Sequence, residues 1–322
     1  MPTSSEEEPE SSIAIAMQQL FWKLQYSPRT VGTKALTKSF GWSDADAFDQ
    51  HDVQELNRIL CERLEEKMKG SSVEKQLQYL FGGHTYNYVR CMHVDFESTR
   101  EETFMDLQLD VKGCRDVRES FLKYCEVETL EGDNKYHSDK FGLQDARKGV
   151  LFKDFPPVLQ LHLKRFEYDF MRDMVVKYNG RYEFPETLDL DFESRRIMSP
   201  NSDPRVRNLY KLHSVLVHTG SGHGGHYFSF VRPDGRQWIK VDDEKVTKEK
   251  RDRAIGDQFG EDSEGPGRGY GGTFRVAKTS NAYMLVYIRE SVRWRALEAG
   301  GAGPSDRLSL FARLSCCRTG PR

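Results

Sequence analysis

The chain has 322 residues, 37% of them hydrophobic and 30% charged, and its 48 basic and 50 acidic side chains leave a formal net charge of −2 at pH 7. That length can bury a sizeable core in one large domain or two ordinary ones. The near-neutral charge excludes a global pull toward nucleic acid or an anionic membrane surface, and no apolar run reaches membrane-spanning length. Cys61, Cys91, Cys114, Cys125, Cys316 and Cys317 form no CxxC pair, which suits a reducing compartment, so a cytoplasmic or nuclear protein is expected.

Residues 1–12 are polar, acidic and proline-containing, and are expected to be a disordered leader. Ile13, Met17, Leu20, Phe21 and Leu24 recur at helical spacing and stop before Pro28. Residues from Thr37 to Trp42 read as the start of a loop, with Asp44, Asp46 and Asp49 following in solvent. Val53, Leu56, Leu60, Leu64 and Met68 then mark an amphipathic helix that closes at Gly70. From residue 85 to 112 the period changes to that of strands, with a polar turn expected between 98 and 103. Residues 117–124 and 143–147 read as helical, and 158–169 as a strand apolar enough at its start to be central. A hairpin and an edge segment follow to residue 190, then a polar loop over 192–208. A polar helical segment is expected near 247–258, a loop rich in glycine and acid at 260–272, and a last strand at 281–290. Residues 291–322 are a weakly patterned tail rich in Arg, Gly and Ala.

The chemistry concentrates at residues 213–246, which read as an antiparallel meander. Gly222, Gly224 and Gly225 precede His226 at the start of the second strand, and Asp242 with Asp243 directly follows the third. Neighbouring antiparallel strands bring residues at such positions together, so His226 and Asp242 are expected to touch. A histidine oriented by a carboxylate is a general base suited to activating a nucleophile.

QHDVQEL at 50–56, LHLKRFEYD at 161–169, GGHYFSF with DDE between 224 and 244, and NAYMLVYIR at 281–289 together resemble the ubiquitin-specific proteases. The VGTKALTKSFGW, GDNKY and YEFPE segments are most similar to the herpesvirus-associated branch and its plant and algal relatives. The resemblance implies an α+β, papain-like hand: a helical thumb over 13–80, β fingers over 81–156 and a β palm over 157–290. It implies cysteine-protease chemistry on the bond after ubiquitin's C-terminal glycine, with His226 as base, Asp242 as its orienting acid and Asp243 assisting at the oxyanion. Asp52, Glu55, Arg165, Phe166, Tyr168, His218 and Tyr227 are the residues it places against ubiquitin's tail. The implied partners are ubiquitin and ubiquitinated proteins, met by a monomer with no nucleic-acid or membrane partner and no cofactor.

Two departures bear on activity. The family's GxxCYxNS box, which carries the nucleophile, is not among these residues, and none of the six cysteines takes its place in the pattern. The isolated chain is therefore expected to be inactive, either as part of an ordinary deubiquitinase or as a non-catalytic ubiquitin-binding scaffold. The paired CxxC motifs that hold zinc in many members are also missing: Val94 follows Cys91 where a cysteine would stand, and Ser138 and Phe141 occupy the later pair. No metal is expected, with Cys91, His93 and His137 as the weak alternative.

Overall fold

The computed structural model describes residues 12–27, 31–41, 52–222, 224–233, 235–261 and 278–291. The expected leader, the loop bearing Asp44, Asp46 and Asp49, His223, most of the 260–272 loop and the tail with Cys316 and Cys317 lie outside these residues.

Helix α1 (Ile13–Tyr26) matches the apolar spacing and ends at Ser27. Helix α2 (Lys34–Ser39) takes in Thr37, where a loop was expected; Lys, Ala and Leu are good helix formers and carry one short turn onward. Helix α3 (Val53–Met68) starts at Asp52, whose carboxylate accepts from the Gln54 backbone N–H at 2.8 Å. Its Leu64 and Met68 bury against Ile13 and Ala14 of α1 in a small core of their own. Helix α4 (Gln76–Phe81) completes this helical end.

Strands β1 (Gly83–Cys91) and β2 (Glu97–Phe104) pair antiparallel, and Thr99 to Glu102 lie inside β2 opposite Tyr88 to Thr85. The expected turn therefore falls earlier, in residues 92–96. An edge strand wetted on both faces carries no apolar alternation, so ESTREETF has the composition of a loop. Strand β3 (Leu107–Asp110) and helix α5 (Val117–Tyr124) follow, then β4 (Glu128–Leu130), β5 (Tyr136–Ser138), β6 (Gly142–Gln144) and β7 (Ala146–Asp154). The helix expected at 143–147 is instead strand: Ala146 and Arg147 pair with Cys91 and Arg90, a distant partnership that overrides local propensity. The order in this sheet is β2-β1-β7-β4.

Strand β8 (Val158–Lys164) is buried at five consecutive positions. Strands β9 (Phe166–Asp169) and β10 (Met174–Lys177) form a separate hairpin. Strand β11 (Thr187–Asp189), the short helix α6 (Phe192–Arg195) and strands β12 (Leu209–Ser221), β13 (Gly224–Val231) and β14 (Trp238–Asp242) follow. Strand β15 (Lys245–Glu249) occupies the start of the segment read as helical, and helix α7 (Arg251–Ala254) comes only after it. Strand β16 (Asn281–Arg289) closes the large sheet, ordered β15-β14-β13-β12-β16-β8-β3 with β11 beside β12. The meander and the central place of β8 are as the sequence led us to expect. β3 is not in the four-stranded sheet with β1 and β2: it runs parallel to β8, with Leu107 opposite Leu161.

Candidate active site

Strand β12 approaches β13 through two glycines, Gly220 opposite Gly225, one residue before His226. A Cβ on Gly225 would lie 2.1 Å from the Thr219 carbonyl oxygen and 2.5 Å from His218 Nε2, so only glycine permits this approach. On the other side Ser229 pairs with Val241. Continuing that register by one step sets Phe228 opposite Asp242, which makes His226 the diagonal neighbour of Asp242 on the same sheet face. Asp242 and Lys245 face each other across a two-residue turn, and Asp243 in that turn has a φ of 47°. Tight hairpin turns demand that conformation and aspartate tolerates it better than most residues.

His226 Nε2 lies 2.7 Å from Asp242 Oδ1 and 3.9 Å from Asp243 Oδ2. Partial burial pushes the Asp242 carboxyl up, but the hydrogen bonds from Lys240 and His226 outweigh it and keep it below the usual carboxylate range. An ionised carboxylate only accepts, so Nε2 donates to it and Nδ1 is the nitrogen left to act as the base. Whichever ring nitrogen holds Asp242, the other one is left as the base.

Asp52, besides capping α3, accepts from the Tyr283 hydroxyl at 2.6 Å, which ties the helix to β16. Gln54 Nε2 donates to Asp106 at 2.9 Å and Asn57 Nδ2 to Gln160 at 3.1 Å, further joining α3 to the sheet. Glu55 lies exposed in the first turn. Tyr227, His218, Phe166 and Tyr283 form one aromatic cluster: the His218 ring centroid is 4.8 Å from that of Tyr227 and 5.1 Å from that of Phe166, and Phe166 is 5.6 Å from Tyr283. Burial, reinforced by Lys177 and His226, lowers His218 to about 4, so it is a neutral ring at physiological pH. Burial pushes Tyr227 up to about 12. Tyr168 stands away from this cluster, exposed against Phe170 and donating to Asp173.

Arg165 does not face a channel. It is 0% exposed, and its guanidinium donates to the backbone carbonyls of Ala282, Tyr178, Gly180 and Phe259 at 2.7–3.2 Å. Burial lowers it to about 10, still a cation at neutral pH, and seals it from any ligand. Its neighbour Lys177, which sequence reasoning passed over, donates to the carbonyls of His218 and Thr279 at 2.8 and 2.6 Å. Burial and the nearby Arg165 pull that ammonium down to about 7. A lysine ending an otherwise apolar strand was the available signal. Tyr283 was hidden in the same way, as one more aromatic in an apolar strand.

Among the described residues no cysteine joins the dyad. Burial pushes the Cys61 thiol up to about 11 and Cys125 to about 12, which keeps both protonated. His226, Asp242 and Asp243 do bring three metal-capable atoms within 4.8 Å of one another, but the Lys240 ammonium sits 2.5 Å from Asp242 Oδ2 and competes with any cation there. Cys91, His93 and His137 form no such group among the described residues; His93 lies 3.5 Å from Asp145 instead.

A family model described as ubiquitin carboxyl-terminal hydrolase matches residues 1–287. Ubiquitin C-terminal hydrolase 12 of Arabidopsis thaliana is 62% identical over 296 residues, covering 90% of this chain and 26% of its own length. Ubiquitin carboxyl-terminal hydrolase 7 of Drosophila melanogaster is 47% identical over 299 residues, covering 92% and 25% respectively. The chain thus spans about a quarter of the length of these relatives. Among solved structures, Ubp8 within the SAGA DUB module bound to monoubiquitin superposes with a TM-score of 0.69 at 22% identity, over 88% of this chain and 60% of that one. At that identity the match shows the fold alone.

Proposed function

We propose that this chain, which belongs to the ubiquitin carboxyl-terminal hydrolase family, is the ubiquitin-holding and proton-transferring part of a cysteine-type deubiquitinase. The observation that carries the reading is the His226–Asp242 hydrogen bond at 2.7 Å, placed at the end of a glycine-lined hairpin within the family match. In this reading ubiquitin's C-terminal segment lies along the cluster of Phe166, Tyr227 and Tyr283, with the acids Asp52 and Glu55 at the first turn of α3 meeting its basic side chains. The base nitrogen of His226 takes the proton from a cysteine thiol as the thiolate attacks the carbonyl after the terminal glycine. It then returns a proton to the leaving amine, and water hydrolyses the thioester. Asp243, near the ring and on a tight turn, assists the oxyanion.

A second reading is favoured by the cysteines: with Cys61 buried, Cys125 half-buried and both thiols held protonated, the chain by itself binds ubiquitin without forming a thioester. We place the protein in the cytoplasm or nucleus, acting as a monomer on ubiquitin and ubiquitinated proteins. Titration of isotopically labelled ubiquitin with the 322-residue chain should shift signals of ubiquitin's C-terminal segment. No shift on either partner would overturn both readings. An electrophilic ubiquitin probe should give no adduct with this chain, and an adduct at any cysteine would overturn the non-covalent one.

A further inference from the structure

The face of the sheet that carries His226 and Asp242 carries a third polar side chain at the same period. Alternation puts His226, Phe228 and Phe230 on one face of β13 and Lys240 with Asp242 on the matching face of β14. Phe230 stands directly opposite Lys240. Lys240 Nζ lies 2.5 Å from Asp242 Oδ2, while His226 Nε2 lies 2.7 Å from Oδ1. The two partners therefore use different oxygens of one carboxylate. The same ammonium sits 4.0 Å from the centroid of the Phe228 ring, and that ring stacks on His226 at 6.4 Å and 30°. Lys240 is thus fixed by a ring face and a carboxylate at once. Lys240 and Asp242 are each only 27% exposed, so water screens the pair less than it screens an ordinary surface pair.

A carboxylate with a single partner turns about its Cβ–Cγ bond, and its hydrogen bond to the base is then intermittent. A second partner on the other oxygen stops that rotation. We propose that Lys240 is the positioning residue of the dyad, its ammonium gripping Asp242 Oδ2 so that Oδ1 stays aimed at the His226 ring. Lys240 touches no reacting atom and acts only through Asp242. The hydrogen bond from Lys240 also helps hold the Asp242 carboxyl below its usual range against the effect of burial. Other charged groups face the same groove of about 450 Å³: Lys245, Glu249, Arg253, Asp257 and Lys278. Arg253 pairs with Asp257, and Glu249 accepts from the Thr247 hydroxyl. Lys245 is directly opposite Asp242 across the turn, yet it is exposed and makes no ion pair among the described residues. It removes the same charge when substituted and so serves as the control for the field of a nearby cation.

The role deepens the deubiquitinase reading and rests on it for its purpose, but its test reads the dyad without turnover. The full chain, as wild type and as Lys240→Met, Lys240→Arg and Lys245→Met, is followed by NMR through the Asp242 carboxyl titration and the His226 ring-nitrogen proton. Methionine keeps the contact with Phe228 and loses the grip. In Lys240→Met the Asp242 carboxyl should bind protons about tenfold more tightly, and the His226 ring proton should exchange faster with water. Lys240→Arg should restore both, and Lys245→Met should leave both as in the wild type. Unchanged signals in Lys240→Met, or equal changes in Lys245→Met, would overturn the proposal. Should Lys240→Met fail to fold, the wild type decides: the Lys240 ammonium signal should follow the Asp242 titration, and independence of the two would overturn the grip. Ubiquitin titration of the wild type separates the two ideas, because absent binding sinks the functional reading and leaves the Lys240 result standing.

Discussion

Two pairs of basic side chains lie close to this site and have opposite fates. Arg165 and Lys177, on the β8 to β10 side, are buried and donate to backbone carbonyls. His226 and Lys240, on β13 and β14, are partly exposed and meet on the two oxygens of one carboxylate. Carbonyls that receive a buried cation knit strands together, whereas a carboxylate shared by a base and a lysine is a device for orienting a proton acceptor. Residue type does not separate these roles; burial and the chemistry of the partner do.

The sharpest way to break the comparison is to remove Arg165. Arg165→Met takes the shared side-chain donor from four backbone carbonyls, of which that of Phe259 still accepts from the Tyr182 N–H at 2.8 Å, and should cost about 3–5 kcal/mol in urea unfolding. Arg165→Lys should recover less than half, because one ammonium cannot span four acceptors held by a planar fork. A loss under about 1 kcal/mol would return Arg165 to the class of surface residues. Gly225→Ala comes next: the added methyl meets the Thr219 carbonyl and should cost roughly 1–3 kcal/mol. It should also displace His226, seen as loss of its ring proton signal, and an intact signal would show that the hairpin yields elsewhere.

Lys177 sharpens the comparison through pH. Its folded value of about 7 lies below the ordinary lysine value of 10.5, so between these values the unfolded chain holds more protons and stability rises with pH. Below pH 7 both states are charged and the cost of burying the ammonium is fully present. Stability should therefore climb from pH 7 to 9 by something on the order of 1–2 kcal/mol, and Lys177→Met should remove that rise. An unchanged rise in the variant would assign it to other groups. The smallest effect is expected at the dyad itself, where Asp242→Asn should alter stability by about 1 kcal/mol or less because both side chains remain partly in water. A larger loss would make Asp242 a structural residue like Arg165.

Much of this was legible in the chain. The meander, the apolar run of β8 and the amphipathic α3 follow from periods of 2.0 and 3.6, which are properties of the backbone. The pairing of His226 with Asp242 follows from where two residues stand on neighbouring strands. Lys240 was within reach of the same logic, since a residue two positions before Asp242 shares its face. Strand β2 and residues 143–147 were not legible, because a solvated edge carries no apolar alternation and β7 is made by its distant partner β1. The seating of Arg165 was also hidden: four carbonyls from three separated stretches of the chain converge on it only after folding. The sequence by itself determined which elements form where their faces are buried, and it placed a base beside an acid. The tertiary structure alone decided which cations are buried and which remain at the site, because desolvation and partner geometry depend on segments far apart in the chain.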